Sequence, residues 1–406
     1  MNRETEQLGA SFVHRGDASG IVRSLIVFLK AVDIERLVSF NEPLTFSTTV
    51  GGRHGIKDTR YNLQLIDPKT DERWNDFVQT HPGGLIYHHS AWGQVLVSTF
   101  GYQPYYVAAQ NGTAGRFEGV LPLMLARSRL TGRRLISLPF TSHCTPLVAE
   151  SGLEDLVGFL ANQCPGAGYL EMRFLGAAIG APIELESRCG YVTHTLDLGP
   201  GPEQLFKKFH LTSIRQMIKR AEKKSLKFRL ADSEDDVKEF FKLHIEVRKR
   251  HGLPPHPYAF FANMWRILKP KGMLLLPVVE HEGKVIASAL ILKFRDTFIY
   301  EYSASDHTKL NLGPNQLLIW EVIKIACKEG MKVFDLGRSA RKHQSLIRFK
   351  SRWGAVGKGL TYCFYPKAAR LDTQNGIARK MLGAINRLLP NGALTLEGEL
   401  IYGHLG

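Results

Sequence analysis

The sequence has no CxxC pair and no regular cysteine spacing: Cys144, Cys164, Cys189, Cys327 and Cys363 are scattered and odd in number. That excludes a zinc knuckle and a disulfide framework, and predicts free, buried thiols and no metal site. A long apolar run is missing too. Ile21 to Phe40 is interrupted by Arg23, Lys30, Asp33, Glu35 and Arg36, so it does not span a bilayer cheaply, and no small-residue cleavage site follows it. Acidic residues are scarce: 38 Asp and Glu face 53 Lys and Arg, a net charge of +15. What is present, 44% hydrophobic and 22% charged residues, is a globular composition that excludes a disordered or collagen-like chain. At roughly 150 residues per domain, the 406 residues predict two or three domains. Residues 1–58 read as a partly ordered leader, and the protein is expected in the cytoplasm, with the inner membrane surface as a second location.

Hydrophobic periodicity divides the rest into two α/β units of similar internal order, 59–193 and 194–368, with a C-terminal extension over 369–406. In the first, YNLQLIDP is a strand from Tyr61, Lys69 to Thr80 a helix, and Tyr102 to Gln110 and Phe117 to Ser128 a strand pair around the Asn111-Gly112 turn. A turn at Thr131-Gly132, a helix over Gly152 to Cys164 and a strand over Tyr169 to Phe174 complete it. In the second, apolar residues at helical spacing predict helices over Pro202 to Lys224 and Asp232 to His251. Three strands follow, joined at Glu282-Gly283 and Arg295-Asp296, then a helix over Pro314 to Lys328, the strand KVFDLG, a helix over Ser345 to Trp353 and the strand GLTYCFY. This order is that of the N-acetyltransferase (GNAT) fold, which hosts many acceptors, so function must come from site residues.

Three segments carry chemistry. In FDLGRSARKHQSLIRFKSRWGA a strand ends at Gly337, and Arg338, Arg341, Lys342, Arg348, Lys350, Arg352 and Lys358 follow with no acid among them. Such a field favours phosphate or carboxylate and suits an oxyanion, and Phe349, Lys350 and Trp353 set a lysine beside an aromatic face that stacks on a nucleobase or packs in the core. The alternative is a solvated basic surface. Leu205 to Arg229 forms a second basic helix, in which Arg215 and Arg220 are the better phosphate ligands because a guanidinium binds through a fork. RKRHGLPPHPYAFF, Arg248 to Phe261, reads as a loop because Pro254, Pro255 and Pro257 remove donors: a lid carrying Arg248, His251, His256 and Tyr258, or a plain connector. Glu301 in IYEYSASD is the candidate base, and alternation turns either Glu301 or Tyr302 toward a cleft. His88, His89, His143 and Cys144 read as buried structural residues rather than ligands or a nucleophile.

WNDFVQTHPGGLIYHHSAW, LISLPFTSHCTPLV, YLEMRF, HTLDL, FHLTSIRQMIKRAEKKSLKFRL, RKRHGLPPHP, YSASD and FDLGRSARKHQSLIRFKSRWGA occur in order between about Tyr61 and Tyr365. Together they resemble the FemAB/FemX-like branch of the GNAT superfamily, aminoacyltransferases of peptidoglycan bridges, and especially relatives encoded with exopolysaccharide systems. The resemblance implies tandem GNAT-like domains, each a mixed, largely antiparallel sheet flanked by helices. It also implies an aminoacyl-tRNA donor and a Phe-Lys pair, here Phe349 and Lys350, that binds donor and stabilises developing charge. Donor contacts are then expected at Phe349, Arg338, Arg348, Gly313 and Asn315, acceptor contacts at Lys208, Arg215, Arg220, Tyr302 and Arg248, and catalysis at Lys350 and Glu301.

Two features depart from the pattern. Ser142 and His143 stand where relatives often have an acidic or aromatic residue, and the acyl-CoA pyrophosphate loop Q/R-x-x-G-x-G/A is replaced by HTKLNLGPN, with the single Gly313. The expected function is transfer of an aminoacyl or acyl group onto an amine of a cell-envelope or polysaccharide precursor. No cofactor is expected to stay bound; the co-substrate is aminoacyl-tRNA or acyl-CoA. Expected partners are a phosphate-bearing acceptor, a lipid- or nucleotide-linked sugar, together with tRNA and a peripheral membrane contact. The alternatives are an acyl-CoA-dependent N-acyltransferase and a non-catalytic binder of anionic glycolipid or RNA.

Overall fold

A computed structural model describes residues 61–110, 115–128, 132–149, 152–164, 166–177, 185–366 and 376–405. The expected leader and the turns at Asn111-Gly112 and Thr131 lie outside the described residues. The first half runs β1 (Asn62–Ile66), α1 (Arg73–Thr80), α2 (Ser90–Phe100), β2 (Gln103–Gln110), β3 (Phe117–Ser128), β4 (Gly132–Ile136), α3 (Leu153–Gln163) and β5 (Tyr169–Leu175). After β6 (Glu186–Asp197), α4 (Pro202–Lys208) and α5 (Gln216–Lys223), the same sequence of elements recurs. It consists of β7 (Lys227–Leu230), α6 (Glu234–Arg250), α7 (Tyr258–Leu268), β8 (Leu274–Leu275) with β9 (Pro277–His281), β10 (Lys284–Phe294), β11 (Thr297–Ser305), α8 (Pro314–Lys328) and β12 (Val333–Ala340). Helix α9 (Gln344–Ser351), β13 (Val356–Tyr365), α10 (Gly376–Leu388) and α11 (Asn391–Leu405) follow.

Each half is an antiparallel meander closed by a helix and a parallel strand: β4 pairs parallel with β5, and β11 with β12. The halves share one sheet, ordered β1-β2-β3-β4-β5-β13-β6-β12-β11-β10-β9-β7, with β8 on β10. The joint is β13, antiparallel to β5 on one side and to β6 on the other. Side-chain alternation divides the core between the two faces. On β3, Val120, Met124 and Ala126 join one cluster, whereas Leu121, Leu123 and Leu125 pack under α3. The first cluster also takes Trp74 and Trp92 from α1 and α2, and Phe240, Phe260 and Phe261 from α6 and α7, so helices of both halves share one core. The cluster beneath α5 and α8 is separate.

Four sequence expectations are corrected. Pro202 to Lys224 is not one helix: Phe209 and His210 are extended, with ψ of 147° and 129°, and a π-turn over Leu211–Arg215 restarts it. Burial of Phe209 against Trp353, ring centroids 5.0 Å apart, and the bond from His210 N–H to the Arg352 carbonyl hold that break. The basic run does not continue as helix to Arg229, because Lys227–Leu230 pairs with β9. Nor is Arg248 to Phe261 one long loop: Pro257 immediately precedes α7, a position where its fixed φ suits a helix start. Cys144, Cys164 and Cys363 are buried as expected, but Cys189 is exposed and Cys327 half-buried.

Candidate active site

Two irregularities in neighbouring strands build the site. Between β10 and β11, Leu290 pairs with Tyr302 and Ile291 with Tyr300, so Glu301 is an extra residue with no partner. A bulge of this kind re-aims side chains. Tyr300 and Tyr302, two apart and normally on one face, pack on opposite sides of the sheet. Tyr302 packs into an aromatic cluster, with ring centroids 5.1 Å from His256 and 5.4 Å from Phe261. The Glu301 carboxylate accepts from the Tyr87 hydroxyl, which comes from the first half, and its charge also acts on the Tyr302 phenol.

The second irregularity lies in β12, where Asp335 pairs with Thr195 and Arg338 with Thr193, so Leu336 and Gly337 both oppose His194. Gly337 has φ +75°, and a Cβ there would come within 3.1 Å of the Tyr300 carbonyl oxygen, so glycine is required. The Asp335 carboxylate accepts from Gly337 N–H and from Thr193 Oγ1, each at 2.8 Å. Lys350, on α9, reaches into this bulge and donates to the carbonyls of Gly337 at 2.7 Å and Arg338 at 3.2 Å. It is only 6% exposed, and two of its three N–H donors are used there.

Burial sets the protonation chemistry. Desolvation, reinforced by Asp335 and opposed by the Tyr87 hydrogen bond, Arg338 and Lys350, raises the Glu301 pKa to about 7. Desolvation lowers that of Lys350 to about 8, against the pull of Asp335 and Glu301. Near neutrality a carboxylate able to take a proton therefore sits in the electrostatic field of an ammonium able to stabilise an anion. Tyr87 is held well above the ordinary phenol range, first by burial and then by Glu301, so it stays a donor.

Next to Arg338 lies an aromatic and cationic cluster. Tyr191 and Tyr362 stack with centroids 5.2 Å apart, the Arg173 guanidinium lies 5.1 Å from the Tyr362 ring, and that of Arg338 lies 4.6 Å from Tyr191. The Tyr362 hydroxyl donates to the Ser142 carbonyl at 2.9 Å. That segment is strained, with Leu138 at φ 62° and Phe140 at φ 60°, and Arg173 holds the Leu138 and Thr141 carbonyls.

Of the expected site residues, the structure brings Glu301, Lys350 and Arg338 together. Phe349 is half-buried on the core beneath α8, its ring 6.4 Å from the fully buried Trp353, and Arg348 is exposed. Gly313 and Asn315 open α8, but a Cβ on Gly313 would lie 2.4 Å from the Met217 carbonyl oxygen, and Asn315 Nδ2 bonds Ser305 Oγ at 3.2 Å. Lys208 is exposed, Arg215 half-buried, and Arg220 exposed with Nη1 on the Asn311 carbonyl at 3.1 Å. Arg248 gives Nε to the Pro254 carbonyl and Nη2 to the Tyr402 hydroxyl, which makes it a strut for α11. Arg229 is likewise committed, to Asp236 and Glu280. His88 is a structural residue, its Nε2 2.8 Å from the Thr145 carbonyl and its Nδ1 accepting from Leu85 N–H at 3.1 Å. Tyr87, Tyr191, Tyr362 and Asp335 are not among the residues expected from the sequence; the one signal for Tyr87 is its place in IYHHSAW, beside His88 and His89.

A model of the acetyltransferase (GNAT) domain matches residues 208–350, the segment that supplies Glu301, Asp335 and Lys350. UDP-N-acetylmuramoylpentapeptide-lysine N(6)-alanyltransferase of Weissella viridescens is 22% identical over 318 residues, covering 71% of this chain and 90% of that protein. Residues 208–350 thus match a GNAT domain, and the chain is similar in sequence to a FemX-type alanyltransferase. The crystal structure of FemX superposes with TM-score 0.60 at 15% identity, over 74% of this chain and 96% of that one. A conserved protein of unknown function from Bacteroides thetaiotaomicron follows, with TM-score 0.50 at 11% identity over 75% and 99% of the two chains. The matched domain and the similar alanyltransferase support an acyltransferase activity. Among the described residues no cluster of three or more His, Cys, Asp or Glu could hold a metal ion, and no helix is long and apolar enough to cross a membrane.

Proposed function

We propose that the protein transfers an aminoacyl group from an ester donor, aminoacyl-tRNA, onto a primary amine of a lipid- or nucleotide-linked cell-envelope precursor, in the manner of the alanyltransferase it resembles. The observation that carries this reading is the buried Lys350 ammonium within the field of Glu301. The amine attacks the ester carbonyl, the C–N bond forms, and the developing oxyanion is stabilised by the third N–H of Lys350. Glu301 takes the proton lost by the amine and returns it to the departing ribose oxygen as the C–O bond breaks, so the carboxylate is regenerated. Arg338, with the Tyr191 and Tyr362 rings, supplies cationic and aromatic contacts for donor or acceptor; the exposed Arg348 is a donor phosphate contact, and Lys208, Arg215 and Arg220 are the acceptor's. Residues 59–193 and 194–368 act as tandem units, with the reaction between them. The crowding of Gly313 by Met217 weighs against pyrophosphate at the start of α8, and therefore against acyl-CoA.

Mass spectrometry of amine-bearing nucleotide- and lipid-linked precursors incubated with the protein and aminoacyl-tRNA tests this. The expected result is one aminoacyl mass added at an amino group. Lys350→Ala should lower kcat by about 100-fold or more with little change in donor affinity. A mass added from acyl-CoA alone would establish the acyl-CoA reading. No addition from either donor, with Lys350→Ala changing only affinity, would establish a binder of anionic glycolipid or RNA.

A further inference from the structure

Helix α10 buries one side and leaves another bare. Its buried side is pinned: Asn386, 1% exposed, gives Nδ2 to the Gly252 carbonyl at 3.4 Å and to Glu397 Oε1 at 3.2 Å. Gly252, φ +69°, lies so close to Gly383 that a Cβ on it would meet the Gly383 carbonyl oxygen at 2.4 Å. The bare side carries Met381, Ala384 and Leu388, spaced to fall on one helical stripe. Met381 is 57% exposed and Leu388 84%, the most exposed large apolar side chain among the described residues. Leu253, beside the Gly252 contact, adds a third partly exposed apolar group. Scattered exposed leucines need no explanation, but an apolar stripe rimmed by one sign of charge does.

The rim here is basic. Arg387 is exposed, with Nε 3.4 Å from the Arg250 carbonyl, and Arg250 is itself exposed at the end of α6. Lys249 reaches Asn391 Oδ1 at 3.3 Å. The nearby acid, Glu246, is engaged by Asn391 Nδ2 at 2.8 Å.

We infer that the Met381–Leu388 stripe of α10, with Arg250 and Arg387 beside it, is a docking face for an anionic lipid bilayer. Amphipathic helices bind such surfaces by sinking apolar side chains into the acyl boundary while basic residues meet the headgroups. A lipid-linked acceptor would then be met at the surface on which the protein docks. That last consequence rests on the function proposed above, whereas docking itself does not.

The test is sedimentation of the full chain with vesicles of phosphatidylcholine alone or with 30% phosphatidylglycerol, without donor or acceptor. Binding is expected to the anionic vesicles only, and to weaken as salt is raised. Met381→Glu with Leu388→Glu should weaken partition by about tenfold or more, and Arg387→Ala by about fivefold. Soluble-acceptor turnover should be unchanged in both. If the double variant loses helical signal, Leu388→Ser carries the same test at a single exposed position. Failure of the wild-type chain to bind anionic vesicles, or binding indifferent to both sets of changes, overturns the inference. So does a dimer in solution that the double variant converts to monomer, since a second copy would then cover the stripe. The assay involves no turnover, so its failure leaves the acyl transfer standing, and failure of acyl transfer leaves the docking standing.

Discussion

A single carboxylate illustrates what the site costs in stability. The folded-state pKa of Glu301 is raised above its ordinary value, so ionisation opposes folding, and stability declines as pH rises from about 4.5 through about 7. Glu301→Gln removes that ionisation. The expected outcome is a higher melting temperature at pH 8 with little change at pH 5, together with a loss of kcat of about 100-fold or more, checked by thermal unfolding and single-turnover rates. In the wild-type protein kcat should rise with pH as Glu301 ionises near 7 and fall as Lys350 loses its proton near 8. Tyr87→Phe removes the hydrogen bond that favours the ionised carboxylate. The acid limb of that profile should then move to higher pH, and the rate at neutral pH should fall by about tenfold. A merely structural role for Tyr87 would lower stability without moving the limb.

At the scale of the element, the functional geometry resides in irregular strands, and there the sequence was least legible. The three-strand meander, α8 with Pro314 at its start, and the strand from Val333 were readable because apolar periodicity, turn residues and glycines agree. A bulge has no periodicity signature of its own, so alternation alone left Glu301 and Tyr302 equivalent. The break at Phe209 was hidden for a different reason: its cause is a tertiary contact with Trp353 on an element more than 140 residues later. Within the basic run, Lys350 was singled out by the resemblance, but its burial was not legible, because nothing local shows that a bulge on β12 offers it two free carbonyls. Gly337→Ala tests this dependence. Placing a Cβ at positive φ beside the Tyr300 carbonyl should destabilise the fold by about 1 kcal/mol or more and reduce kcat as Lys350 shifts, seen by denaturant unfolding and by assay.

The whole molecule is a duplicated meander whose halves are joined across the hydrogen bonds of one strand rather than by a linker. Length suggested two or three domains, and the two halves do repeat in element order, yet they share both a sheet and a core. The contact from Tyr87 to Glu301 crosses from one half to the other, so the site exists only when they are joined. The Arg295 guanidinium donates across the same boundary to the His81 carbonyl. A chain ending before Val356 is expected to aggregate, as read by light scattering after refolding, because β5 and β6 would each present an unpaired strand edge.

The position of β13 also has a consequence for biogenesis. During synthesis, strands that emerge near residue 170 must wait until nearly 190 more residues have left the ribosome before their partner exists. Over that interval, about ten to forty seconds at ordinary translation rates, the nascent amino-terminal half carries a sticky edge. It is therefore a client for any chaperone that shields exposed strands, and slowing elongation after Leu175 should lower the soluble yield.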